Sequence, residues 1–359
     1  MGKGIFREFD ALVENMVEQK DGKSIKENMD AICESIQHAI EEQDTFDEKK
    51  KKKLLKKLER FCNTRTNIML VGATGCGKSS TINALFSCGG ETAEVAKVGT
   101  KADPETKDIE KYTIGNLVLW DTPGLGDGTE IDEHHKNVIR DLLQEKDDEG
   151  NALIDLVLVI LDGSTRDLGT SYKILNEVII PELEDETGRI LLALNQADVA
   201  MKTGRHWDYE KNEPDDTLIA FLEDKLKSIK ERIKTDSGLD VEPIYYCAGY
   251  KEESGDEVHP YNLSKLLYYI LNAIPSRKRV AVMEGVSMKS KLFSFHDGDK
   301  DYGEEIYDSF MGSFDDFFSE GLGKGVEIGG MILGVPGAIV GGVIGGAIGC
   351  IQGLFKSIF

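Results

Sequence analysis

The pattern of apolar and polar positions changes grain along the chain. Between Ile5 and Ile40, apolar residues recur at helical spacing among charges (Leu12, Met16, Ile25, Met29, Ile32, Ile36, Ile40), which predicts two helices broken near Asp21-Gly22. A further helix is expected from Phe46 to Phe61, with Leu54, Leu55, Leu58 and Phe61 on one stripe beside the run Lys49 to Lys53. That helix is either a basic amphipathic surface for a membrane or ribosomal RNA, or a solvated helix packed on its neighbour. Glu59 and the acidic run before the lysines dilute the charge and favour the second reading. From Asn67 to Pro275, short apolar runs (Ile68–Val71, Leu117–Trp120, Ile154–Leu161, Ile190–Leu194, Ile244–Cys247) alternate with helical periods at 80–86, 133–144, 171–183, 215–234 and 262–273. Nearly unbroken apolar runs are what strands covered on both faces require. With Tyr112–Asn116 leading into the second run, the expected fold is α/β, a mostly parallel six-stranded sheet with helices on both faces. The expected organisation is a helical extension over 1–64, the α/β domain over 65–275, a linker and acidic aromatic helical segment over 276–320, and a glycine-rich hydrophobic tail over 321–359.

Chemistry concentrates at the ends of those runs. Gly72-Ala73-Thr74-Gly75-Cys76-Gly77-Lys78-Ser79 follows the first strand and precedes a helix beginning near Ser80. Glycines let successive N–H groups point into one concavity, where a helix N-terminus adds its own donors and positive dipole end to hold phosphate. Lys78 would then neutralise the β- and γ-phosphates and the Ser79 hydroxyl would ligate Mg²⁺. In the polar connection that follows, Thr106 is the first choice and Thr100 the second for a loop threonine completing the metal's coordination. The second run delivers Asp121-Thr122-Pro123-Gly124, in which Asp121 is placed to hold Mg²⁺ and the Gly124 amide to sense the γ-phosphate. Another strand ends in Asn195-Gln196-Ala197-Asp198, where the Asp198 carboxylate can accept both N–H groups of guanine, which adenine does not offer. Cys247-Ala248-Gly249, after the last strand, can present a backbone amide to the base oxygen.

These segments resemble the ordered motif set of the translation-factor-related P-loop GTPases, specifically the Era/TrmE-like branch, with closest similarity to bacterial YfjP/YeeP-type proteins. The resemblance covers Asn67 to Pro275. Gly72 to Ser79 match the first motif, and Thr106 resembles the threonine that precedes Arg-Asp in that branch. Asp121 to Gly124 match the third motif, Asn195 and Asp198 the fourth, and Cys247-Ala248 a loose form of the fifth. The resemblance implies a GTP-binding, Mg²⁺-dependent G domain that hydrolyses GTP to GDP and phosphate as a molecular switch, with Lys78, Thr106 and Gly124 as its catalytic groups. A homodimer through that domain is a further implied partner. Gln196 stands where the family has lysine, Leu125 where many signalling members have the glutamine that orients water, and Gly75 where potassium-stimulated members have asparagine. Weaker nucleotide affinity, slow intrinsic turnover and no potassium stimulation are the expected consequences.

Composition narrows the setting. A formal net charge of −22 argues against unspecific attraction to nucleic acid or anionic membranes, and no specific DNA binding is expected. Six scattered cysteines without CxxC spacing lead one to expect free thiols in a reducing cytosol, with neither a zinc site nor a disulfide. No secretory signal opens the sequence, and Phe6 stands where myristoylation needs Ser or Thr, so a cytoplasmic location is expected. The tail changes this picture. Ile328 to Phe355 holds no charge, and Gly337, Gly341, Gly345, Gly349 and Gly353 recur every fourth position in the rhythm of Gly321, Gly325 and Gly329. Such a stripe allows close helix packing in membranes, and a helix from Gly337 to Phe355 would span roughly 28 Å. Membrane association or self-assembly through 321–359 is therefore one expectation. The other is a slowly hydrolysing GTP-dependent interaction protein, with a ribosomal or protein partner, whose tail packs on its own helices. An ATP-dependent enzyme is disfavoured by Asn195 and Asp198.

Overall fold

The computed structural model describes residues 25–42, 46–87, 95–96, 109–124, 129–183, 186–203, 206–251 and 257–322, together with Gln352, Phe355, Lys356, Ile358 and Phe359. Thr100, Thr106, Leu125, Cys88 and the glycine-rich stretch 323–350 lie outside the described residues.

Two helices, α1 (Ile25–Glu42) and α2 (Glu48–Asn63), precede β1 (Thr66–Gly72) and α3 (Lys78–Leu85). The chain continues through β2 (Glu110–Ile114), β3 (Leu117–Asp121), α4 (Thr129–Gln144), β4 (Leu156–Asp162) and α5 (Gly169–Ile174). The α5 axis runs on through a π-helical turn, Leu175–Ile179, into a last turn, Ile180–Leu183. Then come β5 (Ile190–Asn195), α6 (Asp216–Ser237), β6 (Ile244–Tyr245), α7 (Leu263–Ala273), α8 (Arg279–Gly285) and α9 (Tyr302–Leu322). Six strands form one sheet in the order β2-β3-β1-β4-β5-β6; only the β2–β3 pair is antiparallel. In such an open sheet, ligands bind beyond the carboxyl ends of the strands, where the order reverses on either side of the first strand.

Period-two alternation divides each central strand between two cores. Ile68 and Leu70 of β1, with Leu158 and Ile160 of β4, face α1, α2, α3, α7, α8 and α9. Met69, Val71, Val157 and Val159 face α4, α5 and α6. Each fully buried leucine or isoleucine contributes about 1.5–3 kcal/mol. Helix ends follow local signals: the Asp47 side chain accepts the Lys50 N–H at 2.7 Å to start α2, and Asp215 accepts from Leu218 at 2.9 Å to start α6. Gly238, in the left-handed region, closes α6 through its N–H to the Lys234 carbonyl. The lysine-rich helix α2 buries Leu54, Leu58 and Phe61 and leaves Lys49, Lys52 and Lys53 exposed, which is the packed arrangement of the two that its composition allowed.

One expectation is corrected. Cys33 of α1 and Cys62 of α2 are joined by a disulfide, with Cα atoms 6.5 Å apart, so the cysteines are not all free thiols. Their separation of 29 residues has no motif spacing; two amphipathic helices docked side by side bring them together. Cys76 and Cys247 remain buried free thiols. The segment after Pro275 forms the buried helix α8. Its Glu284 accepts the Asn116 N–H at 2.8 Å, and the Ser87 N–H donates to the Gly285 carbonyl at 3.0 Å. Just before α8, the Lys278 ammonium lies 2.6 Å from the buried Asp155 carboxylate, which also accepts the Asn67 N–H at the entry to β1. At the other end of the chain, Phe355 and Ile358 are buried in the same core as α9. Among the described residues, no helix is long and apolar enough to cross a membrane.

Candidate functional site

The carboxyl ends of β1, β3 and β5 converge. Between β1 and α3 the loop turns through Gly75 (φ 78°) and Gly77 (φ 95°), conformations glycine adopts without steric cost. At Gly77 a Cβ would also overlap the Asn195 side-chain amide, so the backbone there must be bare for two reasons. The helix α3 begins at once, with the Thr81 N–H bonded to the Gly77 carbonyl. Lys78 is buried, and its ammonium donates to the Gly72 and Ala73 carbonyls at 3.2 and 3.3 Å, holding a positive charge against the loop.

On the β3 side, the Ser79 hydroxyl donates to Asp121 Oδ2 at 2.8 Å, while Oδ1 is buried with no hydrogen-bond partner among the described residues. Burial pushes the Asp121 carboxyl above its ordinary range, with Lys78 and the Ser79 hydrogen bond pulling the other way. An orphaned oxygen on a buried carboxylate beside a serine hydroxyl suits a hard divalent cation such as Mg²⁺, which takes oxygen ligands. Among the described residues no group of three His, Cys, Asp or Glu side chains is assembled for a metal. Gly124 packs directly on the loop: a Cβ on it would collide with Thr74 Oγ1 and lie 2.6 Å from the Thr74 Cα. Its carbonyl accepts from His135 Nδ1 at 3.1 Å.

On the β5 side, Asn195 ties three segments together. Its Nδ2 donates to the Cys76 carbonyl at 3.0 Å, its Oδ1 accepts the Ala248 N–H at 3.0 Å, and its own carbonyl accepts from Gly163. The Ala248 amide, expected to face a base oxygen, is thus bonded to Asn195 in this structure. Gln196 takes up a left-handed conformation (φ 60°) and donates from Nε2 to the Gly75 carbonyl at 2.9 Å, pinning the 72–79 loop through a neutral hydrogen bond. The Cys247 thiol donates to Asp198 Oδ1 at 3.1 Å, and Asp198 Oδ2 is left buried and unpartnered among the described residues. Burial also pushes this carboxyl above its ordinary range, opposed by the Cys247 bond. The Thr81 and Tyr246 hydroxyls, 2.6 Å apart, link α3 to the same edge.

The structure therefore brings together Gly72 to Ser80, Asp121, Gly124, Asn195, Gln196, Asp198, Cys247 and Ala248, whereas Thr106 lies outside the described residues. His135 and Tyr246 were not singled out from the sequence. The pair His134-His135 on the helix after the Asp121–Gly124 loop was a signal for the first, while nothing local marked the second.

Residues 67–196 match the family model described as 50S ribosome-binding GTPase. Over 63 residues the chain is 48% identical to interferon-gamma-inducible GTPase 10 of Mus musculus, a match covering 17% of this chain and 15% of that protein. It is 29% identical over 114 residues to the probable GTP-binding protein EngB of Methanococcus aeolicus, covering 32% of this chain and 47% of the relative. The matches thus span less than half the length of these curated relatives. Among solved structures, Toc33 from Arabidopsis thaliana in complex with GDP and Mg²⁺ aligns with 66% of this chain and 95% of its own, at 20% identity and a TM-score of 0.38. The chain contains a P-loop GTPase G domain, an α/β unit with a mostly parallel six-stranded sheet.

Proposed function

We propose that this chain binds GTP and GDP with Mg²⁺ and hydrolyses GTP slowly, as a switch of the Era/TrmE-like branch. The observation supporting this reading most directly is the pair of buried, unpartnered carboxylate oxygens flanking the phosphate loop, Asp121 Oδ1 and Asp198 Oδ2. A buried polar atom without a partner costs about 1–3 kcal/mol, more when charged, so a ligand group that meets either oxygen is favoured there. A cation at Asp121 and the N1–H and N2–H donors of guanine at Asp198 meet those two demands, and the 72–79 loop lies between them for the phosphates.

In this reading the loop amides and the Lys78 ammonium hold the β- and γ-phosphates, and Ser79 and Asp121 hold Mg²⁺, with Thr106 as the third candidate ligand. Bound Mg²⁺ would offset charge on the phosphate oxygens. In the same reading the Gly124 N–H meets a γ-phosphate oxygen, which the packing of this glycine against Thr74 of the loop supports. In this reading water attacks the γ-phosphorus, the bond to the β–γ bridging oxygen breaks, the water's proton passes to the released inorganic phosphate, and GDP leaves with its negative charge spread over donors already in place. Slow turnover is expected because Leu125 supplies no water-orienting group.

For the tail, the buried packing of Phe355 and Ile358 against α9 favours the reading in which it docks on the chain's own helices, with a ribosomal or protein partner left to the G domain. The reading in which 321–359 joins a membrane or a second copy rests on its composition. Calorimetric titration with GTP, GDP and ATP, with and without Mg²⁺, tests the nucleotide assignment. Saturable GTP binding that ATP does not displace is expected, whereas equal affinity for GTP and ATP would overturn the Asp198 assignment.

A further inference from the structure

The His135 ring donates to the Gly124 carbonyl, and we propose that it is the positioning residue of the hydrolytic switch, holding Gly124 in register with the phosphate loop. The inference rests on the nucleotide reading above and adds a residue to it.

A backbone carbonyl can only accept, so the 3.1 Å contact requires the proton to sit on Nδ1 of His135. His135 is 5% exposed, so this is an interior bond rather than one exchanging with solvent. Glycine has more backbone freedom to lose than any other residue, and it must be glycine here because a Cβ would strike Thr74. An unanchored Gly124 would therefore sample many orientations, only some of which aim its N–H at the phosphate loop. A donor already oriented toward developing charge needs no reorganisation during reaction, and one that must be oriented first loses that advantage.

The anchor is itself held. His135 lies on α4, which is braced one residue on by Lys136. That ammonium, 8% exposed, is 2.9 Å from Glu133 and 2.8 Å from Glu177, a residue of the π-helical turn Leu175–Ile179. These hydrogen bonds outweigh burial and raise the Lys136 pKa, so the cation is fully charged at neutral pH. Arg140, one turn further, pairs with Glu182 at 3.0 Å, and Ile139 is buried with Val178 and Ile179. The imidazole thus hangs from a helix fixed to its neighbour by two ion pairs and an apolar seam, which is the rigid mount that a positioning group needs.

The test uses the full chain and three variants. His135→Phe keeps a ring of similar shape without the donor, His135→Gln restores an N–H of similar reach, and Lys136→Met loosens the mount. Single-turnover phosphate release and the affinities for GTP, a non-hydrolysable GTP analogue and GDP are measured for each, with thermal melts to confirm folding. His135→Phe is expected to slow the hydrolytic step about tenfold, the equivalent of about 1.4 kcal/mol. It should weaken the analogue relative to GDP and leave GDP affinity unchanged. His135→Gln should recover most of the rate, and a packing role alone would not produce that rescue. A His135→Phe protein whose turnover and analogue-to-GDP ratio stay within twofold of the unaltered chain overturns the proposal while the nucleotide reading survives. Absence of saturable GTP binding by the unaltered chain overturns both.

Discussion

Replacing Asp198 by asparagine probes base recognition at one atom. In the structure the Cys247 thiol donates to Asp198 Oδ1, and a thiol donor needs an acceptor opposite it. The amide oxygen of Asp198→Asn will therefore stay at the Oδ1 position and place its NH₂ where the unpartnered Oδ2 now lies. That turns the acceptor for guanine into a donor facing two donors. Hydrogen bonds to a charged group are worth about 1.5–3 kcal/mol each, so losing two costs roughly 3–6 kcal/mol, or about 10²–10⁴ in GTP affinity. Xanthine carries a carbonyl where guanine has its 2-amino group, so xanthosine triphosphate should bind the variant better than GTP does. A pH arm adds a second check. Burial raises the Asp198 pKa, and guanine binds the ionised form, so GTP affinity should fall as pH drops through that raised value while the asparagine variant stays flat over the same window. Competition titration against a fluorescent guanine nucleotide reads both. A GTP loss under tenfold, or no preference for the xanthine nucleotide, would refute the base assignment.

Three other outcomes follow from the same coordinates. Gly77→Ala, which forces a Cβ into the Asn195 amide at φ 95°, should abolish nucleotide binding with a change in melting temperature of only a few degrees; retained binding would mean the loop does not hold phosphate in this form. At the appended helices, burial alone would raise the Asp297 pKa, but the Lys265 ammonium at 2.5 Å outweighs it and holds the carboxyl below the usual carboxylate range. The stability this pair supplies is present above about pH 4 and lost as pH falls through the depressed value, so Lys265→Met should cost about 3 kcal/mol at pH 7 and flatten the acid limb of the melting curve. Reduction of Cys33–Cys62, or Cys33→Ser, should lower stability by about 3–4 kcal/mol for a cross-link of 29 residues, and unchanged melting under reductant would show that α1 and α2 hold without it.

Much of the G domain was legible because its signals are local. A continuous apolar run, a glycine turn and a helix start specify β1, the loop and α3 without reference to the rest of the chain, and Asp121 and Asp198 announce themselves by standing at the ends of such runs. What escaped was contact between distant segments. Asp155 pairing with Lys278, Glu284 receiving the Asn116 amide and Cys33 meeting Cys62 join positions whose sequence context is unremarkable. Periodicity says that a helix has an apolar face and is silent about which surface receives it. Beyond the proline that follows α7, the buried residues Val280, Val282 and Met283 of α8 lie in the core shared with β1 and β3, a contact that local signals do not announce.

The same reasoning bears on the tail. Leu322 ends α9, a helix of 21 residues and therefore about 30 Å long. Yet Phe355 stacks near Tyr307 and Phe310 in the first half of that helix, at ring distances of 5.5 and 5.3 Å, and Phe359 lies 5.1 Å from Phe293. Phe355 thus lies alongside α9. Insertion of Phe355 and Ile358 into lipid would require their release from this core. Lipid contact by these two side chains and their docking on α9 are therefore alternatives. Leaving the docked state exposes Phe355 and Ile358, at roughly 1.5–3 kcal/mol each, a cost offset in part by the conformational freedom that the released segment regains. A nucleotide-linked coupling of typical size, about 1–3 kcal/mol, is comparable with that cost, so if the two sites are coupled GTP will measurably shift the fraction of free tails.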